Sequence, residues 1–263
     1  MDEGLLRCDV TAGVARLVMN RPAKLNALSD AMLAALKAEL TRIAAEPSIR
    51  VVILAGAGKA FCAGHDLGEM QAGRAADDGG AAYFADLFGR CADVMQMIPA
   101  LPQPVIAEVH GIATAAGCQL VASCDMAVAA QGTRFGVNGV NIGLFCSTPM
   151  VALSRNIPRK MAFELLTTGQ FIDAGRAMEL GLVNRVVPMQ ALEAETQTLA
   201  QMVAEKLFSA VRIGKQAFYR QAEMDLAKAY DYAGAVMVEN MLWRDTNEGI
   251  TAFLQKRKPD WAQ

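Results

Sequence analysis

A chain of 263 residues with 53% hydrophobic content and a net charge of −2 can form one large domain, burying roughly 70–75% of its extended-chain surface. This composition excludes a disordered chain, gives no global attraction to nucleic acid, and includes no apolar run of the ~20 residues that cross a bilayer. Six cysteines without a C-x-x-C pair, and only two histidines, His65 and His110, argue against a Cys/His zinc site and for reduced, buried thiols.

The first residues, MDEGLLRCDV, are acidic and lack the basic-then-apolar order of a signal peptide. The expected location is cytoplasmic, or the mitochondrial matrix if a transit sequence has been trimmed. Residues 5–10 and 14–19 read as a strand pair joined at Ala12-Gly13. Ser29 caps a helix running to about Ala45, in which Met32, Leu33, Leu36, Leu40 and Ile43 recur at helical spacing. RVVILAG, 50–56, reads as a buried strand, followed by a loop from Gly56 to Gly64. Residues 68–79, polar and glycine-rich, read as a mobile loop. A helix over 81–98 is expected to stop at Pro99, Pro102 and Pro104. A strand over 104–110, a short helix near 115–123 and a strand over 125–130 follow. This strand–helix–strand alternation points to α/β layering with parallel strands. Beyond Pro158 the pattern is almost wholly helical, with helices near 158–167, 173–180, 188–207, 209–226, 228–245 and 248–256.

Several chemical motifs fail on inspection. AGAGKAF, 55–61, lacks the first glycine of a phosphate loop and has Ala60 where Ser or Thr would hold magnesium. It also lacks the last glycine of G-x-G-x-x-G, and no G-x-S-x-G elbow occurs. Nothing local supports a Cys–His nucleophile pair, although spacing alone does not exclude one. ATAAG, 113–117, invites close approach of another backbone or a ligand. Taken alone it also reads as a tight helix–strand contact.

The order of four segments carries more. RPAKLNALS (21–29) follows the hairpin, GKAFCAGHDL (58–67) and HGIATAAGCQLVASCD (110–125) each follow a strand, and EGITAFLQKRKPDW (248–261) lies near the end. Together they resemble the enoyl-CoA hydratase/isomerase, or crotonase, superfamily over essentially the whole chain. VNIGLFCSTP, IPRKMAFELLTTGQ and EGITAFLQKRKPDW are closer still to one branch of it. The resemblance implies an α/β fold, a crotonase-like spiral of ββα units over residues 1–200, with a helical C-terminal cap and trimerisation region over 201–263. It implies an acyl-CoA thioester as ligand and a homotrimer or dimer of trimers. It implies no nucleic-acid or membrane partner, and no cofactor beyond the coenzyme A carried by the substrate.

By the same resemblance, the backbone N–H groups of His65 and Ala116 form an oxyanion hole for the thioester carbonyl. Two glutamates serve the hydratases as general acid and base, and their positions fall on Gln119 and Gly139. A glutamine does not accept a proton near neutral pH, and glycine has no side chain. Efficient hydration is therefore disfavoured, and a catalytically inert acyl-CoA-binding or regulatory protein is the alternative. The loop GLFCSTPM, 143–150, reads about one residue shorter than the family pattern. Glu69 is the candidate substitute carboxylate, against the reading of a solvated helix-start glutamate. Asn138 and Asn141 are candidate contacts for an acyl substituent, Cys146 and Ser147 candidate pocket lining, and Asp66 a loop organiser. Lys24 and Lys256 are expected at the CoA phosphates, with Ala23 and Ala63 offering backbone contacts toward the adenine and Phe253 packing nearby. His110 reads as structural.

Overall fold

In a computed structural model that describes residues 4–262, the first hairpin pairs β1 (Leu6–Thr11) antiparallel with β2 (Val14–Met19). Ala12 and Gly13 both take positive φ, 50° and 79°. That is the turn geometry whose twist matches a two-residue hairpin. Ser29 then caps α1 (Asp30–Ala44), its side chain accepting from the Met32 N–H at 3.2 Å. The apolar stripe read from the sequence is the buried face of this helix.

β3 (Val51–Gly56), α2 (Leu67–Gly73), α3 (Ala81–Ala100), β4 (Val105–Val109), β5 (Ile112–Thr114), α4 (Ala116–Ser123) and β6 (Met126–Ala130) carry the chain through the spiral. Two expectations change here. The glycine-rich stretch over 68–79 is not wholly loop: its residues up to Gly73 belong to α2, because Asp66 accepts from the N–H groups of Gly68 (2.9 Å) and Glu69 (3.4 Å) and Met70 is buried. α3 continues through Pro99 to Ala100. A proline near a helix end forfeits only a late hydrogen bond.

β7 (Arg134–Gly136), α5 (Ser147–Asn156), α6 (Arg159–Thr168), β8 (Phe171–Asp173), α7 (Ala174–Glu179), β9 (Arg185–Val187), α8 (Leu192–Ala204), α9 (Phe208–Gln221), α10 (Leu226–Met241) and α11 (Arg244–Leu254) complete the chain. The part after Pro158 is thus not all helix, since β8 and β9 interrupt it. A six-stranded sheet has the order β1-β2-β3-β4-β6-β9, and from β2 to β9 every pairing is parallel. A second sheet has the order β5-β7-β8. Single bridges Leu28↔His65 and Cys62↔Ala113 extend that second sheet into the loops after the hairpin and after β3.

α9 is fastened to the spiral by a buried cation. Lys215 Nζ donates to the carbonyls of Ile98 (2.8 Å) and Gln103 (2.9 Å) and to Asp125 Oδ2 (2.7 Å). The Tyr219 hydroxyl donates to Asp125 Oδ1 at 2.8 Å, and the Val105 N–H donates to the same carboxylate. Burial pulls the lysine's pKa down while Asp125 holds it up, so the pair stands or falls together. Asp125→Ala, which strands the ammonium, is expected to cost about 3–5 kcal/mol. Urea unfolding followed by circular dichroism measures it, and a loss below about 1 kcal/mol would contradict this anchoring.

Candidate functional site

The site is built where three backbone segments lie side by side. The Leu28 N–H donates to the Gly64 carbonyl (2.8 Å) and the Ala63 N–H to the Leu25 carbonyl (3.0 Å). On the other side, the Phe61 N–H donates to His110 O (3.0 Å), the Cys62 N–H to Ile112 O (3.2 Å) and the Thr114 N–H to Cys62 O (3.1 Å). Asn26 ties the first two segments together. Fully buried and at φ 54°, it accepts from the Arg21 N–H at 2.9 Å and donates Nδ2 to the carbonyls of Ala57 (2.9 Å) and Ala60 (2.8 Å). The sequence reading did not single out this residue. A buried asparagine in left-handed backbone looks, in sequence, like any turn asparagine.

Small residues then let the turns touch. Gly64 has φ 89°, and a Cβ there would stand 3.0 Å from the Ala115 methyl and 3.4 Å from the Ala116 nitrogen. A Cβ on Gly117 would run into the Cys62 carbonyl. Ala115, between β5 and α4, has φ 50° and ψ −120°, a conformation that costs a residue with a Cβ of order 1–3 kcal/mol. Its N–H is held by Gly136 O at 2.9 Å. Ala116 opens α4 and, like other first-turn amides, has no acceptor among the described residues; nor has the N–H of His65. The two expected donors therefore sit on adjoining turns with their hydrogens uncommitted.

Around them the side chains are mostly unable to ionise near neutrality. His65 is half-buried, with Nδ1 3.4 Å from Leu28 O and its ring edge-on to Phe88 at 5.7 Å between centroids. Burial lowers its pKa, favouring neutral imidazole. Burial pushes the thiols of Cys62 and Cys118 up to about 12 and raises Cys146 as well. None of these is poised as a thiolate nucleophile. Gln119 lies one turn beyond Ala116, 4% exposed, and its Oε1 is buried without a partner. At Gly139 there is no room even for a methyl group: a Cβ would collide with the Leu144 carbonyl and stand 2.8 Å from Cys146 Sγ.

The remaining expected residues divide. Asp66 organises its loop as the N-cap of α2. His110 is structural, its Nε2 2.8 Å from Gly58 O. Glu69 is half-buried, and its Oε2 accepts the Asp30 N–H at 2.8 Å, which ties it to the start of α1. Asn138 accepts from the Thr114 hydroxyl at 2.7 Å. Asn141 is exposed and its amide lies over Gly169, where a Cβ would stand 2.8 Å from Oδ1. Ser147 is exposed, while Cys146 is buried beside Gly139. Ala23 and Lys24 are exposed on a single 3-10 turn, Pro22–Lys24, directly before the segment that holds Ala63. Lys256 is exposed just after α11 with φ 54°, and Phe253 is exposed on α11 itself. Both stand on the C-terminal helices rather than in this cluster of turns.

Comparison with known proteins gives the family and the fold. The family model described as enoyl-CoA hydratase/isomerase matches residues 9–263. The chain is 47% identical over 249 residues to enoyl-CoA hydratase domain-containing protein 3, mitochondrial, of Xenopus laevis, covering 95% of this chain and 83% of that protein. The human protein of the same name is 46% identical over 250 residues, covering 95% and 81%. Among solved structures, an enoyl-CoA hydratase of Mycobacterium smegmatis superposes with a TM-score of 0.95 at 54% identity, covering 99% of this chain and all of that one. The branch to which VNIGLFCSTP and IPRKMAFELLTTGQ were closest is that of the domain-containing protein 3.

The packing at α4 makes two opposite expectations. Ala115→Gly removes the Cβ from a strained turn and should raise stability by about 1 kcal/mol. Gly117→Ala drives a methyl group into the Cys62 carbonyl and should cost about 1–3 kcal/mol. Thermal unfolding of both variants measures them, and equal shifts of one sign would contradict the close approach.

Proposed function

The chain belongs to the enoyl-CoA hydratase/isomerase family, and from that premise we propose that it binds an acyl-CoA thioester and stabilises its enolate form. The carbonyl oxygen takes the N–H groups of His65 and Ala116, and the positive end of α4 adds to them. One such donor is typically worth ~2.7–4 kcal/mol of barrier. The observation that carries this reading is the pair of uncommitted amides on turns held against each other by Gly64 and Gly117.

Proton transfer is the weaker half. General acid–base catalysis contributes ~10²–10⁴-fold. Gln119 and Gly139 stand at the glutamate positions in our alignment, and Glu69 is engaged at α1. Classical hydratase activity is therefore weak or absent. The engagement of Glu69 also favours the second reading, an acyl-CoA-binding protein without turnover that acts in sensing or regulation. Lys24 and Lys256 serve the CoA phosphates, with Ala23 and Ala63 toward the adenine. The assembly is a homotrimer or dimer of trimers, for which the exposed Leu226 and Tyr230 of α10, Leu242 just after it, and Phe253 and Leu254 of α11 supply apolar surface. Relatives named mitochondrial favour the matrix over the cytoplasm as its compartment.

Two measurements test this. The C=O stretch of a bound acyl-CoA should shift to lower frequency in difference Raman spectra, and an unshifted band would remove the polarising donors from the proposal. Crotonyl-CoA hydration should run far below the roughly 10 s⁻¹ of an ordinary enzyme. Turnover at that level would restore an acid–base pair that this reading denies.

A further inference from the structure

The peptide between Gly64 and His65 is trans and planar, so its C=O and N–H point in opposite directions. Whatever holds the Gly64 oxygen therefore aims the His65 hydrogen. That oxygen accepts the Leu28 N–H at 2.8 Å, which turns the His65 N–H away from the segment leading into α1. The direction of one expected donor is thus set by residues 28–30, outside the loop that carries it.

Residues 28–30 are held in turn from α2. Asp30 is the first residue of α1, directly behind the cap Ser29, and a first-turn amide has no partner inside its own helix. Its N–H donates instead to Glu69 Oε2 at 2.8 Å. A carboxylate at a helix N-terminus makes a charge-assisted bond that the helix dipole favours. Among the described residues this is the one side-chain hydrogen bond from α2 to another element, and Met70 is the one residue of α2 that is buried. The Asp30 carboxylate serves a different neighbour, accepting from Arg90 (2.8 Å) and the Tyr83 hydroxyl (3.4 Å) on α3.

We propose, on the acyl-CoA reading of the site, that Glu69 is a positioning residue for the His65 amide. By taking the Asp30 N–H it clamps α2 to residues 28–30 and keeps the Leu28 N–H on the Gly64 oxygen. The carboxylate thereby contributes to polarisation without touching the thioester and without moving a proton. With the clamp released, the Gly64–His65 plane is free to rock about Gly64, whose φ of 89° already lies where glycine moves most easily. The far end of the turn stays fixed by the Ala63 N–H on the Leu25 carbonyl, and the Ala116 donor on α4 is untouched.

Substitutions on both sides of the bond test it in the full chain. Glu69→Ala removes the acceptor, and Glu69→Gln keeps one. Asp30→Pro removes the donor: proline suits the first helical position, and Ser29, at φ −70° and ψ 166°, has the extended backbone required before proline. Asp30→Ala, which loses the carboxylate but keeps the N–H, is its reference. Without ligand, amide hydrogen exchange at Leu28 should be about 10-fold faster in Glu69→Ala than in the unsubstituted protein, and about 10-fold faster in Asp30→Pro than in Asp30→Ala. Glu69→Gln should stay within about 3-fold of the unsubstituted rate. With butyryl-CoA bound, Glu69→Ala and Asp30→Pro should move the lowered C=O stretch back toward its free value, and Glu69→Gln should not. Combining Glu69→Ala with Asp30→Pro should add nothing, because each breaks the same bond. Unchanged exchange at Leu28, or a Glu69→Gln variant as fast as Glu69→Ala, overturns the clamp. Faster exchange with a fully retained carbonyl shift overturns the positioning role. Should Glu69→Ala not fold, the Asp30 pair decides alone. If butyryl-CoA does not bind the unsubstituted protein, the acyl-CoA reading falls, while exchange at Leu28 still decides the clamp.

Discussion

Everything at the site depends on how closely two backbones approach at Cys62 and Gly117. The Cys62 carbonyl receives the Thr114 N–H at 3.1 Å, and the first turn of α4 passes so near the same oxygen that a Cβ on Gly117 has no room. That approach fixes Ala116 beside Gly64, and hence the one uncommitted amide beside the turn that carries the other. It also explains the run of small residues from Ala113 to Gly117, since any larger group would lever α4 off the loop. The strained Ala115 is the local cost, of order 1–3 kcal/mol, offset by its bond to Gly136 and by the buried ladder on either side.

Where the sequence had period or chemistry, it was legible. α1 announced itself through Ser29 and a five-residue apolar stripe, and β3, β4 and β6 through apolar runs bounded by turn residues. β5, β7, β8 and β9 span only three residues each, too few for any alternation to register. They exist because ladders with other segments supply partners, parallel for β5 with β7 and β9 with β6, antiparallel for β8 with β7. α2 was hidden by its glycines, since propensity weighed more in the reading than the cap of Asp66 and the anchor of Met70. At the site, backbone donors leave no side-chain signature, so His65 and Ala116 were accessible only through the family resemblance. Gly139 was visible as a gap, but its reason, the carbonyl of Leu144 folded against it, is a tertiary contact that no local pattern encodes.

The C-terminal helices are joined to this spiral through polar atoms as well as apolar packing. The ammonium of Lys215 caps carbonyls at the end of α3 and just before β4, and Asp125, which compensates it, begins the segment leading into β6. α9 is thereby registered to the strands that flank α4. The final residues are clasped onto α11 in turn: Glu248 accepts from the Arg257 guanidinium and from the Asp260 N–H at 2.8 Å. The basic segment Lys256–Lys258 is held by its own helix and not left as a loose tail, which gives Lys256 a defined place despite its exposure.

An anion-stabilising site without a titrating partner is chemically coherent. Fixed N–H dipoles lower the energy of any state in which the thioester oxygen gains charge, and they do so without protonation or reorganisation. Turnover additionally requires a group that changes its proton count in step with the substrate. The carboxylates nearest to hand are committed elsewhere, Asp66 to the cap of α2 and Glu69 to the start of α1, while buried thiols stay protonated. What remains beside the two uncommitted amides is the side-chain amide of Gln119 and an imidazole that burial keeps neutral. Binding of a polarised thioester and movement of its protons are separable physical tasks, and the proposed reading assigns the residues of this chain to the first.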